Sequence, residues 1–201
     1  TCINRCMSNV FQKLELQAFR AGINPRTDES REWFRRKAQQ LTNINREALM
    51  KEDGIKSRSN TVTGKMYMFF YDPKTKQTLP YYDKFPVIFV IDKAEGGFYG
   101  LNLHYLPPIL RMKMLDGLLQ YKSNSKYDET TRIRMSYAQL KRTSKLSYYK
   151  PAFKHYLAAH VKSQFAEITA PEWEIAAFLP TAQWAKGSAS KVYSDSRRML
   201  R

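Results

Sequence analysis

The chain has 201 residues, of which 43% are apolar and 13% aromatic, and only two cysteines. A chain of this length buries a core without covalent staples and is too aromatic for a disordered one, and two cysteines exclude a disulfide framework. The 34 Lys and Arg against 18 Asp and Glu leave +16, which favours an anionic partner: nucleic acid, an anionic membrane or an acidic protein surface.

The charge is patterned. Residues 111–162 hold 12 basic and 3 acidic side chains, and residues 31–58 hold 8 and 4. The remaining segments are nearly balanced, so the excess belongs to particular surfaces. The longest apolar run, Phe85 to Ile91, is too short to span a bilayer, and no basic amphipathic helix with a Trp-rich face suggests surface binding. No secretory leader is visible in the first residues. Cys2 and Cys6 read as reduced thiols, because a zinc site needs more ligands than these two supply.

The first element is a helix with Phe11, Leu14, Ala18 and Phe19 near one face and Gly22 as its stop. Thr27 or Asp28 caps a second helix, whose apolar side is Trp33, Phe34, Ala38 and Leu41. "KEDGIKSRSNTVTG" is polar and breaker-rich, a linker or loop. Then the pattern becomes β: "KMYMFFYD", "FPVIFVID" and "FYGLNLHYL" are aromatic, β-branched or alternating, and turn residues bound them. The last places His104 on a strand, opposite the leucines. Gly96-Gly97 forms the turn before it, and Gly100 marks a bulge or a close backbone approach. Pro107-Pro108 ends that strand and starts a helix over Ile109 to Leu119, with Leu110, Met114, Leu115 and Leu118 inward and Arg111 and Lys113 nearer its polar flanks. A short helix is expected around Ser136 to Lys145. Another is expected from Pro151, with Phe153, Leu157 and Val161 as its apolar positions. "FAEITAPEWEIAAFLPTAQW" resumes mixed strand and short-helix character.

Together these elements predict an α+β protein: a small antiparallel SH3-like β-barrel with N-terminal helices and a basic helical insertion. The division expected is an N-terminal helical region over 1–58 and a barrel domain over 59–201, with the insertion at about 107–162.

Catalytic chemistry finds little support. His104 lacks a nucleophile signature nearby in sequence and reads as a hydrogen-bonded structural residue. His155 and His160, five apart on an expected helix, do not make a metal pair. A metal-dependent nuclease needs clustered carboxylates. Asp72, Asp83 and Asp92 flank strands, and the first two look like turn formers. No catalytic residue, metal or cofactor is assigned.

The basic, tyrosine-rich region is the stronger candidate. Arg111, Lys113, Lys122, Lys126, Arg132, Arg134, Lys141, Arg142, Lys145, Lys150 and Lys154 are candidate phosphate contacts, with Arg35, Arg36 and Lys37 as a weaker patch. Tyr127, Tyr137, Tyr148 and Tyr149 are candidates for stacking on bases. The competing view is a solvated basic face with tyrosines packed beneath it. No helix-turn-helix, zinc finger or RNP motif is present, so the pattern fits binding indifferent to base sequence.

The strings "GKMYMFFYDPKTKQTLPYYDKFPVIFVID" and "GGFYGLNLHYLPP", with the later "EITAPEWEIAAFLPTAQW" and "VYSDSRR", resemble the DNA end protector family of T-even-type tailed bacteriophages over about Thr63 to Arg198. The resemblance implies a non-enzymatic virion protein in the head or head–tail junction that caps genome ends and shields them from host exonuclease after ejection. It also implies a link to head completion, with double-stranded DNA ends and portal, head-completion or neck proteins as partners, and neither a membrane nor a small-molecule substrate. Tyr71, Asp72, Tyr81, Tyr82, Asp83, Gly100, Asn102, His104 and Tyr105 would be barrel-shaping positions. A structural neck, portal or tail-completion protein is the alternative, and a metal-dependent nuclease a third.

Overall fold

The computed structural model describes residues 9–25, 27–122 and 126–199, without the side chains of Lys122 and Glu129. Cys2 and Cys6 lie outside the described residues, as does the Lys122 side chain proposed as a phosphate contact.

Three helices open the fold: α1 (Val10–Arg20), α2 (Asp28–Gln40) and α3 (Arg46–Met50). Thr27 caps α2 as expected. Its hydroxyl accepts from the Ser30 amide while the Ser30 hydroxyl accepts from the Thr27 amide, so two donors without helical partners are satisfied together. Gly22 follows α1 with φ +70°, a conformation that costs glycine least.

The strands are β1 (Lys56–Arg58), β2 (Met66–Met68), β3 (Tyr82–Asp83), β4 (Val87–Ala94), β5 (Gly97–Asn102), β6 (Phe153–Leu157), β7 (Phe165–Ile168) and β8 (Trp184–Ala185). Six form one antiparallel sheet in the order β1-β7-β2-β4-β5-β6, and β3 pairs with β8. Between β5 and β6 run the helices α4 (Pro108–Lys122) and α5 (Glu129–Lys145). After β7 come α6 (Trp173–Phe178) and α7 (Ala189–Arg198).

The sheet has two buried faces. One packs Met66, Met68, Val87, Phe89, Ile91 and Leu101 against the helices through Phe11, Leu14, Leu115, Leu118, Leu140 and Trp173. The other wraps an aromatic cluster of Tyr67, Phe69, Tyr71, Phe98, Tyr156 and Phe165. Edge-to-face pairs such as Phe69–Phe165, with centroids 5.0 Å apart, suit the ring quadrupoles. Each fully buried side chain of this size contributes roughly 1.5–3 kcal/mol.

Four expectations are corrected. The sheet is open and closes into no barrel: β1 and β6 are its edges, and the chain after β6 meets the extension of β2 through one isolated bridge, Tyr71–Val161. The polar linker contributes β1, because Lys56–Arg58 find free β-edge partners in Phe165–Glu167. The residues after Pro151 form strand β6 rather than a helix. Phe153 to Leu157 pair with Leu101 to Gly97, so tertiary pairing overrides the helical spacing, and the helical segment ends by Ala152. His104 lies past β5, in a 3-10 turn over Leu103–Tyr105.

Gly100 makes the close approach expected of it: a Cβ there would meet the Ile88 side chain at 2.7 Å and the Phe89 carbonyl oxygen at 3.3 Å.

Candidate nucleic-acid interface

The basic surface is built on α5. Asp128 caps this helix by accepting from the Thr131 amide at 2.8 Å. Ser136, Leu140 and Thr143 are buried, with the spacing of one inward stripe. The opposite stripe carries Arg134, Lys141, Arg142 and Lys145, spaced 7, 8 and 11 residues from the first, and Arg134, Arg142 and Lys145 are exposed. Arg142 and Lys145 also lie in the last turn, where cations favour the helix dipole.

Beyond α5 the surface continues through a 3-10 segment, Ser147–Ala152, with Lys150 exposed and Tyr148 60% exposed. It then reaches edge strand β6, where Phe153 and His155 are exposed. Tyr99 on β5 stacks on Phe153, with centroids 5.2 Å apart and planes 17° from parallel, and lies 5.1 Å from His155. This aromatic ladder was missed in the sequence. Only the strand assignment of 153–157, hidden beside Pro151, would have put Phe153 and His155 on one face.

Other expected phosphate contacts have structural employment. Arg111 is buried, and its guanidinium donates to the carbonyls of Leu106 and Ala177 at 2.8 and 2.9 Å and to the Tyr193 hydroxyl. It ties α4 to α6 and α7 and is unavailable to DNA. Arg35 is likewise enclosed. It donates from Nε to Glu174 Oε2 at 2.6 Å and from Nη2 to Asp116 Oδ1 at 2.6 Å. Lys141 donates to Asp92 Oδ2 at 2.8 Å and lies above the Tyr137 ring; the bond to Asp92 first, and Tyr137 after it, hold its ammonium above the usual lysine range. Lys37 covers the Trp33 ring at 5.8 Å, whereas Arg36 is exposed. Arg132 lines a separate cavity with Arg31, Phe34 and Glu174 rather than the outer face of α5.

Lys113 and Lys126 are exposed, on α4 and just before α5. Among the tyrosines, Tyr148 and Tyr127 reach solvent, Tyr137 is half-buried, and Tyr149 is buried with its hydroxyl 3.3 Å from the Leu110 carbonyl. Tyr149 is therefore withdrawn from stacking.

Lys154 is also absent from the outer face. It points into a cavity of about 420 Å³ lined by Tyr71, Tyr82, Asp83, Asn102, Tyr105 and Tyr156, among others. Its ammonium lies 4.0 Å from the centre of the Tyr105 ring, and burial pushes its pKa down to about 8.

The carboxylates proposed for metal binding are dispersed. Asp72 pairs with Lys76, Asp92 with Lys141 and Asp83 with His104. Among the described residues no group of three or more His, Cys, Asp or Glu is placed to hold a metal ion. His155 and His160 lie on β6 and in the following turn, and His160 Nδ1 is 2.9 Å from the Asp72 carbonyl.

An exposed cationic helix face beside exposed aromatics, with no metal-holding carboxylate group among the described residues, fits contact with a polyanion. The family described as phage T4 terminal DNA protecting protein matches residues 7–199. The chain belongs to that family.

The match takes in the three N-terminal helices as well as the region from Thr63 to Arg198 on which the resemblance rested. All of α5's basic face and the Lys154 cavity fall within the family's span. Neither curated proteins nor solved structures provide a match. Among the described residues, no helix is long and apolar enough to cross a membrane.

Proposed function

We propose that this protein binds the ends of linear double-stranded phage DNA and shields them from exonuclease, without enzymatic activity and without reading base sequence. Membership of a terminal DNA protecting family over 7–199 carries this reading. The exposed Arg134, Arg142 and Lys145 on one face of α5 support it physically, since phosphate neutralisation by such side chains is independent of sequence. Tyr148 and the Tyr99–Phe153 stack offer π-faces to bases at a frayed or terminal step. The setting we infer is the virion, in the head or at the head–tail junction, with portal or neck proteins as neighbours.

The test is exonuclease digestion of linear duplex with excess closed circular DNA as competitor. Protection that survives the circle supports end binding. Protection that the circle titrates away supports general DNA affinity only, as a structural protein of the junction would show.

A further inference from the structure

The cavity around Lys154 has features the basic helix does not explain. Its volume, about 420 Å³, lies within the range of about 300–1,000 Å³ usual for small-ligand sites. Tyr71, Tyr82, Tyr105 and Tyr156 give it aromatic walls, with Lys74 and His155 exposed at its rim.

Lys154 is the anomaly. Its ammonium is largely buried, yet among the described residues no carboxylate or carbonyl pairs with it; the Tyr105 ring is its one close partner. A buried unpaired ammonium is costly, and burial alone accounts for its lowered pKa. Asp83 lines the same cavity but has no capacity to spare. Its Oδ1 accepts from the amides of Phe85 and Gln183, both at 3.0 Å, and its Oδ2 is engaged by His104 Nδ1 at 2.6 Å and Asn102 Nδ2 at 3.2 Å. The cavity therefore holds a cation whose counter-ion must come from outside.

The wall beside it is built in advance. Lys76 pairs with Asp72, and Lys186 donates to the carbonyls of Lys76 and Gln77 at 2.6 and 3.0 Å. The 73–80 loop is thus held before any ligand arrives, which lowers the ordering cost of binding.

We propose that this cavity receives the terminal nucleotide of a DNA strand, with Lys154 Nζ as the ligand of its terminal phosphate and the tyrosine walls packing against its base and sugar. The proposal rests on the end-binding reading and deepens it. Internal duplex presents only diesters shielded by neighbouring nucleotides. A terminal phosphomonoester carries more charge and, free on one side, can reach down to Lys154 inside this open-mouthed cavity, so the cavity would distinguish an end from a middle.

The experiment compares the affinity of the full chain for one linear blunt duplex carrying a 5′-phosphate, a 3′-phosphate or hydroxyls only. One charge-assisted contact predicts roughly tenfold tighter binding of one phosphorylated form, and which form wins assigns the strand polarity. Lys154→Met should bring that ratio to about one, whereas Arg142→Ala should weaken all three duplexes alike and preserve it. Equal wild-type affinities for all three, or a preference that survives Lys154→Met, overturns the proposal while leaving general DNA binding intact. If no duplex binds, the end-binding reading fails. Titration with thymidine 5′- and 3′-monophosphates against thymidine then decides the cavity separately: saturable binding of either phosphate form alone supports it, and no discrimination refutes it.

Discussion

Asp83 and His104 meet at 2.6 Å with both side chains about 1% exposed. They join the end of β3 to the turn after β5, and His104 Nε2 reaches Thr181 Oγ1 at 3.2 Å on the chain leading to β8. A buried Asp–His–hydroxyl line resembles a catalytic relay in composition. Here both ends are closed off, and Asp83 also accepts two backbone amides. Its work is to fasten the small β3–β8 ribbon to the main sheet.

Asp83→Ala should therefore cost about 3–5 kcal/mol of stability, because it strands His104 and two amides in the interior. His104→Ala should cost somewhat less and should not change the salt dependence of DNA binding in whatever fraction remains folded. Burial alone would raise the Asp83 pKa, but His104 and the hydrogen bonds outweigh it and hold the carboxyl below the usual aspartate range. The linkage sign follows. This stabilisation is full above the unfolded-state pKa near 3.8 and is lost as pH falls through the lower folded value. Urea denaturation at pH 7 and a stepwise acid series measure both effects.

DNA affinity should fall steeply with salt. If about five phosphates are neutralised, log K against log salt has a slope near −4 to −5. Replacing Arg134, Arg142 and Lys145 together by Ala should reduce the slope's magnitude by about 2.7 and weaken linear and circular duplex alike. The melting temperature should hold, since all three side chains are exposed. An unchanged slope would move the interface off α5. Arg132, which shared the sequence patch, lines another cavity, so Arg132→Ala should have a smaller effect than any of the three.

The contrast between Arg132 and Arg134 shows how far the sequence could be read. Strand-forming runs, the Thr27 cap, the Gly96 turn and the Pro108 helix start were legible because each is a local choice. The concentration of charge in 111–162 was legible too, but not which charges face outward. Arg111 and Arg35 look like surface cations in a linear string, and only tertiary packing supplies the carbonyls of Leu106 and Ala177 or the carboxylates of Glu174 and Asp116. The strand at Phe153 was illegible for the same reason. Its spacing also suits a helix, and its β partners lie 52 to 60 residues earlier in the chain. The cavity joins residues from 71 to 199 and leaves no mark at any one place.

Arg35 offers a test of structural against electrostatic roles. It bridges α2 to Glu174 on α6 and Asp116 on α4. Glu174 is buried, and desolvation lifts its pKa above the usual glutamate range even with Arg35 in place. Arg35→Ala should destabilise the fold by about 3 kcal/mol by leaving that carboxylate unpaired. The double variant Arg35→Met with Glu174→Leu should recover much of the loss, because no buried charge remains. Denaturation of the two variants beside wild type measures the loss and its recovery, and the salt slope for DNA should match that of wild type in both. A slope reduced by about one unit would return Arg35 to the interface.

Lys154 predicts the opposite kind of variant, one that gains stability. Burial lowers its folded pKa to about 8 from the usual lysine value of 10.5, so the folded state at neutral pH carries an ammonium it solvates poorly. The penalty is full below pH 8, declines as pH rises towards 10.5, and is absent above that, because in this window the unfolded chain keeps a proton the folded chain has released. Tyr105 and Tyr156 share the cavity, and their hydroxyls are held above their usual range, first by burial, whereas burial shifts Lys154 down towards neutral pH. Lys154→Met should raise stability by about 1–3 kcal/mol at pH 7, with the gain over wild type shrinking by pH 10. Urea denaturation at the two pH values measures it. A gain at neutral pH fits a lysine retained for a ligand at the expense of the fold. A loss would mean that its stem and its contact with Tyr105 outweigh the buried charge, making Lys154 a packing residue.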